Sequence, residues 1–348
     1  MQQADKEPAM TGGRHEAALW KPADGAAVDC FLCAHRCHVA AGKRGVCRVR
    51  ENVEGWLQTL VYGRLVAQHV DPIEKKPLYH FLPGTRSFSI AAAGCNFQCG
   101  FCQNWQISQY PRKADGEIPG QETTPEDLVA AAQQARCESI SYTYTEPTIF
   151  FEYARDTGVL AKQAGLRNVF VTNGFMAAEA VGEMAGWLDA ANVDLKAWQD
   201  EFYRKACKGR IEPVKESIRR LYDAGVHVEV TTLLVTGQND AADDLRGIAG
   251  FLASISPDLP WHVSRYHPDF EMRDPPATPV ETLERAVEIG REAGLRYVYG
   301  GNVGTMEDTV CPSCRTTVIT RMGFSVVERN LRGAACGKCG AALALIIE

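Results

Sequence analysis

The chain lacks any long apolar run. No stretch approaches the ~18 consecutive apolar residues needed to cross a bilayer, and residues 1–20 are polar and mixed in charge, without the apolar core of a secretory leader. An excess of positive charge is also missing: the formal net charge is −6. This balance argues against a broad surface for nucleic acid or anionic lipid. We therefore expect a cytoplasmic protein that binds neither nucleic acid nor membranes.

Repeats of fixed period, low-complexity tracts and long linkers are missing as well, so neither a repeat array nor a largely disordered chain is expected. The hydrophobic content of 45% is that of an ordinary globular protein. A length of 348 residues is enough to bury the core of an enzyme, with about two domains as the expectation from length.

Cysteine, in contrast, is plentiful. Of the 13 cysteines, 11 fall into three local clusters, a pattern typical of metal sites that requires a reducing compartment. The clusters are Cys30, Cys33, Cys37 and Cys47; then Cys95, Cys99 and Cys102; then Cys311, Cys314, Cys336 and Cys339. We interpret the two remaining cysteines, Cys137 and Cys207, as a packed thiol and a bystander.

The central cluster has only three cysteines on one short loop, Cys95, Cys99 and Cys102. Structural zinc and four-iron clusters are both normally held by four protein groups. Three thiolates therefore imply an iron that is open to another ligand, and chemistry can occur at that opening. A zinc knuckle that lacks one ligand is the alternative interpretation.

The two outer clusters each offer four thiolates. In the C-terminal cluster two Cys-x2-Cys pairs flank a β-like segment, residues 318–328, which is close to zinc-ribbon spacing and predicts a structural zinc, with a rubredoxin-like iron as the alternative. For the N-terminal cluster, zinc and a second iron–sulfur cluster both fit. We favour zinc, because the neighbouring residues are polar whereas a redox cluster usually has an apolar shell.

Between the outer clusters, short β-rich runs alternate with amphipathic helical stretches, which is typical of βαβ units and a parallel sheet. Periodicity alone fits a doubly wound sheet equally well. Six units with polar motif residues at the strand ends favour an open α/β barrel. The candidate strands are residues 88–93, 139–144, 168–172, 191–194, 227–235 and 261–266, with 296–299 as a seventh.

Helix boundaries are also visible. Thr124 is a candidate N-cap, followed by proline and two acidic residues in the first helical turn. Gly165, Gly225 and Gly294 each precede a predicted strand and are expected to end helices.

The loop Cys95-Asn-Phe-Gln-Cys99-Gly-Phe101-Cys102 resembles the CxxxCxΦC loop of the radical S-adenosylmethionine (SAM) superfamily. The resemblance covers roughly residues 61–302 and implies a partial (β/α)6 TIM-like barrel. It also implies an oxidoreductase in which the amino and carboxylate groups of SAM bind the fourth iron of a [4Fe–4S] cluster. The reduced cluster would then cleave SAM to methionine and a 5′-deoxyadenosyl radical.

Motifs at the strand ends extend the resemblance. Thr145-Glu146-Pro147 is similar to the second half of the GGEP element, Val171-Thr-Asn-Gly to the DTNG of glycyl-radical activating enzymes, and Asp194-Leu-Lys196 to their LDLK. Val171 replaces the Asp of DTNG, which puts in doubt the monovalent cation that this Asp helps to hold. An intrastrand ion pair is the alternative for Asp194 and Lys196. The resemblance implies SAM contacts from Phe101, Thr145, Glu146, Thr172, Asn173, Asp194, Lys196 and His267.

Residues 71–81, residues 102–108 and the cysteine-rich tail together resemble the radical SAM member of the AmmeMemoRadiSam system, which is often labelled as similar to pyruvate formate-lyase activating enzyme. A solvated charged turn is the alternative for Glu74, Lys75 and Lys76. Reduced flavodoxin or ferredoxin is the expected electron donor. The substrate, a protein among the options, stays unidentified, as does whether SAM is consumed or regenerated.

Two further hypotheses stay open: an activase that installs a glycyl radical on a partner enzyme, and a non-catalytic electron carrier or zinc-bound interaction module. For the organisation of the chain we expect four parts: a flexible tail over residues 1–20, a cysteine-rich lobe over 21–55, the barrel over 56–305 and a zinc-ribbon-like lobe over 306–348.

Overall fold

The computed structural model describes residues 15–114, 116–303 and 307–348. Its N-terminal lobe contains two three-stranded antiparallel sheets, ordered β1-β6-β5 and β2-β3-β4. Their strands are β1 (His15–Glu16), β2 (Trp20–Pro22), β3 (Val28–Cys30), β4 (His38–Val39), β5 (Arg50–Val53) and β6 (Trp56–Thr59). Most of the predicted flexible tail lies outside the described residues, but its last part already contains β1 and the first residue of β2.

A single large sheet forms the centre of the molecule and, counted over the residues described, it has nine strands. They are β7 (Arg64–Pro72), β8 (Arg86–Ala92), β9 (Gln121–Glu122), β10 (Ser139–Tyr142), β11 (Arg167–Thr172), β12 (Ala190–Asp194), β13 (His227–Leu234), β14 (Trp261–Arg265) and β15 (Val298–Gly301).

The strand order identifies the architecture. Strand β8 pairs in parallel with β10, and each strand from β10 to β15 then pairs in parallel with the next one along the chain. A doubly wound sheet would reverse this order at a switch point. The expected α/β barrel is therefore confirmed, with seven parallel strands. Strand β7 runs antiparallel along the outer edge of β8, and β9 pairs with β7.

Helices connect the parallel strands. They are α1 (Trp105–Ser108), α2 (Tyr110–Lys113), α3 (Pro125–Gln134), α4 (Phe151–Gln163), α5 (Ala178–Met184), α6 (Asp200–Phe202), α7 (Ile211–Asp223), α8 (Ala242–Ile255) and α9 (Val280–Glu292). The Thr124 side chain caps α3 by accepting a hydrogen bond from the backbone N–H of Asp127, as predicted. Gly165 and Gly225 follow α4 and α7 with φ of +79° at both, which confirms their role as helix-ending residues.

The C-terminal lobe is built from β16 (Thr309–Val310), β17 (Thr317–Met322), β18 (Ser325–Arg329), β19 (Leu331–Arg332) and β20 (Ala335–Cys336). It packs on the barrel through Arg321, whose buried guanidinium donates to the carbonyl of Tyr79 at 2.8 Å. Ile346 also hydrogen bonds with the backbone on both sides of Phe81. The predicted lobe boundary near Thr305 lies outside the described residues.

The charged turn at residues 74–76 differs from the solvated alternative. Glu74 and Lys76 are each 1% exposed, and only Lys75 reaches solvent. Lys76 pairs with Asp71 at 2.6 Å, and Gly84 donates its backbone N–H to Glu74 at 2.7 Å. These charged groups can be buried because each has a charged or hydrogen-bonding partner.

Among the helices of the described ranges, none has the length and apolar character that crossing a membrane requires.

Candidate active site

The three-cysteine loop follows the C-terminal end of β8 and is held from two sides. Gln98 and Gly100 donate their backbone N–H groups to the carbonyls of Cys207 and Ala206 at 2.9 and 3.1 Å. The Gly100 carbonyl in turn accepts from the backbone of Met272 at 3.0 Å. The loop is therefore fixed in position by the chain after β12 and by the chain after β14.

The three thiols are placed for a metal cluster rather than for one ion. In the described part of the chain, the sulfurs of Cys95, Cys99 and Cys102 do not all lie within 4.8 Å of one another. Burial raises the pKa of Cys95 and of Cys102, and the neighbouring Cys207 thiol together with burial raises that of Cys99. Thiols in such surroundings become thiolates when a metal replaces their protons, so the donor set fits an iron–sulfur cluster.

A cavity of about 510 Å³ opens beside this loop, within the ring of strand ends. It places together residues that are far apart in the chain. All three thiols and seven of the eight predicted SAM contacts lie on its wall: Phe101, Thr145, Glu146, Thr172, Asn173, Asp194 and Lys196.

The eighth predicted contact, His267, lies outside this wall. Its ring hydrogen bonds with the side-chain amide of Gln103 at 3.1 Å, and Gln103 does line the cavity. The other histidine of this region, His262, is 3% exposed and pairs with Glu229 at 2.7 Å inside the barrel. Our preference for His267 over His262 thus stays a prediction.

Glu146 connects two strand ends. One carboxylate oxygen, Oε1, accepts from the backbone and hydroxyl of Thr148 and from the hydroxyl of Thr172 at 2.7 Å. The other, Oε2, accepts from the backbone N–H of Asn173 at 2.7 Å. A carboxylate oxygen has two lone pairs, so Oε2 retains one for a further donor from the cavity.

Asn173 connects the end of β11 to the cysteine loop. Its side-chain nitrogen donates to the Asn96 side chain at 2.7 Å and lies 3.7 Å from the Cys95 sulfur. His35 of the N-terminal lobe hydrogen bonds with the Asn96 carbonyl at 2.8 Å. The residue next to the first cysteine is thus fixed by both the barrel and the N-terminal lobe.

Asp194 and Lys196 form an ion pair at 2.8 Å on the cavity wall. Burial opposes the charge of Lys196, but the carboxylate of Asp194 outweighs it and raises the pKa of Lys196 well above its ordinary value. The ammonium group lies 5.7 Å from the centre of the Phe101 ring. A fixed cation therefore stands between the cysteine loop and the end of β12.

Sequence patterns missed several residues of this site. Cys207 ends a π-helical turn (Tyr203–Cys207), is fully buried and neighbours Cys99 closely enough to raise its pKa, so it is not a distant bystander. The Tyr203 hydroxyl accepts a hydrogen bond from the backbone N–H of Lys196 at 2.8 Å. Tyr144 lies on the cavity wall and hydrogen bonds with Asp71. The basic residues around Cys207 were the one sequence signal near this turn.

The four C-terminal cysteines converge, as predicted. Sulfur–sulfur distances are 3.8 Å for Cys311 and Cys339 and 3.7 Å for Cys314 and Cys336, and all four sulfurs lie within 4.8 Å of one another. Tetrahedral zinc with bonds of about 2.3 Å separates its thiolates by about 3.8 Å. This site fits a single tetrahedral ion.

The four N-terminal cysteines also come together, around a small cavity. Its wall includes Leu32, Val39 and Ile149, so the expectation of polar surroundings is wrong. Leu32 and Val39 stand among the cysteines in the sequence, but only the fold shows that they face the sulfurs together with Ile149 of the barrel.

Comparison with known proteins agrees with this geometry. A model of the Radical SAM superfamily matches residues 89–252. Uncharacterized protein MJ0808 of Methanocaldococcus jannaschii is 42% identical over 95% of this chain and 99% of its own length. Uncharacterized protein MJ0674 of the same organism is 24% identical over 78% of this chain and 77% of its own.

Among solved structures, SuiB of Streptococcus suis bound to S-adenosylmethionine superposes with a TM-score of 0.50. The identity is 13%, over 66% of this chain and 53% of SuiB, so the likeness concerns the fold alone. The barrel, the three-cysteine loop after its first parallel strand and the family match agree, and the chain belongs to the Radical SAM superfamily.

Proposed function

We propose that this protein is an enzyme that cleaves SAM reductively and abstracts hydrogen from a substrate bound in the 510 Å³ cavity. The observation that carries the proposal is the shared wall: three thiols with no fourth cysteine ligand in their motif, next to seven predicted SAM contacts. Cys95, Cys99 and Cys102 would hold a [4Fe–4S] cluster. When bound, the cluster supplies one electron to the sulfonium of SAM, which yields methionine and a 5′-deoxyadenosyl radical.

The polar residues of the wall suit the charged end of SAM. Lys196 has three donors and uses one on Asp194, so two remain for the methionine carboxylate. The remaining lone pair of Glu146 Oε2 can accept a hydrogen bond from the ammonium group of SAM. The second oxygen of Asp194 is available to a ribose hydroxyl. The chain thus binds and orients SAM through residues that its own hydrogen bonds hold in place.

Val171 lies on the same wall, where glycyl-radical activating enzymes have the Asp of DTNG. An isopropyl group offers no ligand to a cation. We therefore expect SAM to bind here without the monovalent cation that this Asp would help to hold.

The finer assignment is also a proposal. The motifs at residues 71–81 and 102–108 support membership of the AmmeMemoRadiSam group, an oxidoreductase reaction, and reduction by flavodoxin or ferredoxin. The convergence of the four C-terminal sulfurs supports zinc in that lobe.

The activase hypothesis differs in the source of the hydrogen, which would be a glycine of a partner enzyme. An activase needs an opening wide enough for a peptide loop. Phe324, at the turn between β17 and β18, lies on the cavity wall, so the C-terminal lobe borders the site. This supports a substrate smaller than a peptide loop.

The test is SAM cleavage by anaerobically reconstituted, dithionite-reduced protein, with 5′-deoxyadenosine and methionine measured by chromatography. Cys102→Ala should form neither product. Cys137→Ala is the matched control, because Cys137 is a buried thiol remote from the cavity wall, and it should match the wild type. Product formation by Cys102→Ala, or none by fully loaded wild type, would contradict the proposal.

A further inference from the structure

The two outer cysteine clusters have different shapes. The C-terminal sulfurs all lie within 4.8 Å of one another, with two pairs at 3.7 and 3.8 Å. Across the described residues, no three of the N-terminal sulfurs meet that limit. A tetrahedral zinc ion needs every pair about 3.8 Å apart. The fold thus shapes the C-terminal cluster for one ion and leaves the N-terminal sulfurs too far apart for one.

The N-terminal sulfurs are nevertheless directed to one place. Cys30, Cys33, Cys37 and Cys47 line a common internal cavity, and Cys30 and Cys47 are buried. The remaining wall is mostly apolar, with Leu32, Val39 and Ile149 beside Arg50. Four thiolates around an apolar space suit a cluster of several metal atoms, because such a cluster holds its sulfur ligands farther apart than a single ion does.

Hydrogen-bond donors also approach these sulfurs. The guanidinium of Arg50 lies 3.6 Å from the Cys30 sulfur, and the backbone N–H of Val46 lies 3.5 Å from that of Cys37. Arg50 is 2% exposed and is fixed by an ion pair with Glu152. Donors to sulfur stabilise the negative charge of an iron–sulfur cluster and its thiolates and help to set its potential.

We infer that Cys30, Cys33, Cys37 and Cys47 hold a second iron–sulfur cluster rather than zinc. The site adjoins the three-cysteine loop: Arg112 donates to the carbonyls of Val46 and Cys95, both at 2.8 Å. This inference stands apart from the proposed function, because metal content does not depend on SAM cleavage.

The test is metal analysis of a variant that lacks the other cluster. Cys95→Ala/Cys99→Ala/Cys102→Ala, reconstituted anaerobically, should retain iron and acid-labile sulfide equivalent to one cluster per chain, together with one zinc ion. Adding Cys30→Ala and Cys47→Ala should remove the iron and leave the zinc. Adding Cys336→Ser instead should remove the zinc and leave the iron.

Two zinc ions and no iron in the first variant would overturn the inference. Should that variant fail to fold, the wild-type protein decides the question, because it should bind twice the iron and sulfide of a single cluster. Wild-type protein with one cluster and two zinc ions would refute it equally.

Discussion

Lys196→Met should weaken SAM binding while leaving the iron content unchanged. The Lys196 ammonium pairs with Asp194 at 2.8 Å, is 13% exposed and lines the cavity. Methionine keeps most of the side-chain volume and removes the charge. A hydrogen bond to a charged group contributes about 1.5–3 kcal/mol, which corresponds to roughly a 10- to 100-fold loss of affinity.

The assay is equilibrium binding of SAM to anaerobically reconstituted protein, with iron measured on the same samples. Lys215→Met is the matched control, because Lys215 also forms an ion pair at 2.8 Å and is 15% exposed, but it lies away from the cavity wall. It should bind SAM like the wild type. Wild-type affinity in Lys196→Met would show that Lys196 is an ion-paired residue at the end of β12 with no part in SAM binding.

Three further perturbations test other parts of the account. Glu146→Gln should lower both the melting temperature and SAM affinity, because an amide cannot accept hydrogen bonds from all the donors that now bind the carboxylate. An unchanged melting temperature and an unchanged affinity would show that the Glu146 carboxylate is not needed to connect the two strand ends or to bind SAM. Cys336→Ser should release zinc and lower the melting temperature but leave SAM cleavage intact, whereas lost turnover at an unchanged melting temperature would indicate a redox role. Burial lowers the pKa of His80 from 6.5 to about 4, so the unfolded chain binds the extra proton first as pH falls. Between pH 7.5 and pH 5 this difference should lower the free energy of unfolding by about 2 kcal/mol. Denaturant unfolding should show this loss in the wild type and not in His80→Gln. An equal pH dependence in the two proteins would contradict the prediction.

Local sequence signals predicted the barrel well. The cap at Thr124 and the glycines after α4 and α7 depend on residues within one helical turn, so the local sequence is sufficient to predict these helix ends. The strand ends of the site were predictable for a related reason. Parallel strands connected in chain order bring their carboxyl ends to one edge, so the motifs after β10, β11 and β12 had to meet there.

Contacts between distant segments were not predictable in this way. Glu74 and Lys76 resemble a solvated turn until the C-terminal lobe and β7 cover them. Cys207 lies more than a hundred residues after Cys99, and only the π-helical turn brings the two thiols together. The apolar wall beside the N-terminal cysteines combines Leu32 and Val39 of the lobe with Ile149 of the barrel, and the sequence does not show which of the neighbouring side chains face the sulfurs.

The most direct test of the central claim is the electron paramagnetic resonance spectrum of the reduced, reconstituted protein with and without SAM. An iron open to an outside ligand is expected on Cys95, Cys99 and Cys102. SAM should therefore change the part of the spectrum that Cys99→Ala removes. A spectrum that SAM leaves unchanged, or a change that persists in Cys99→Ala, would contradict the assignment of this loop as the SAM-binding site.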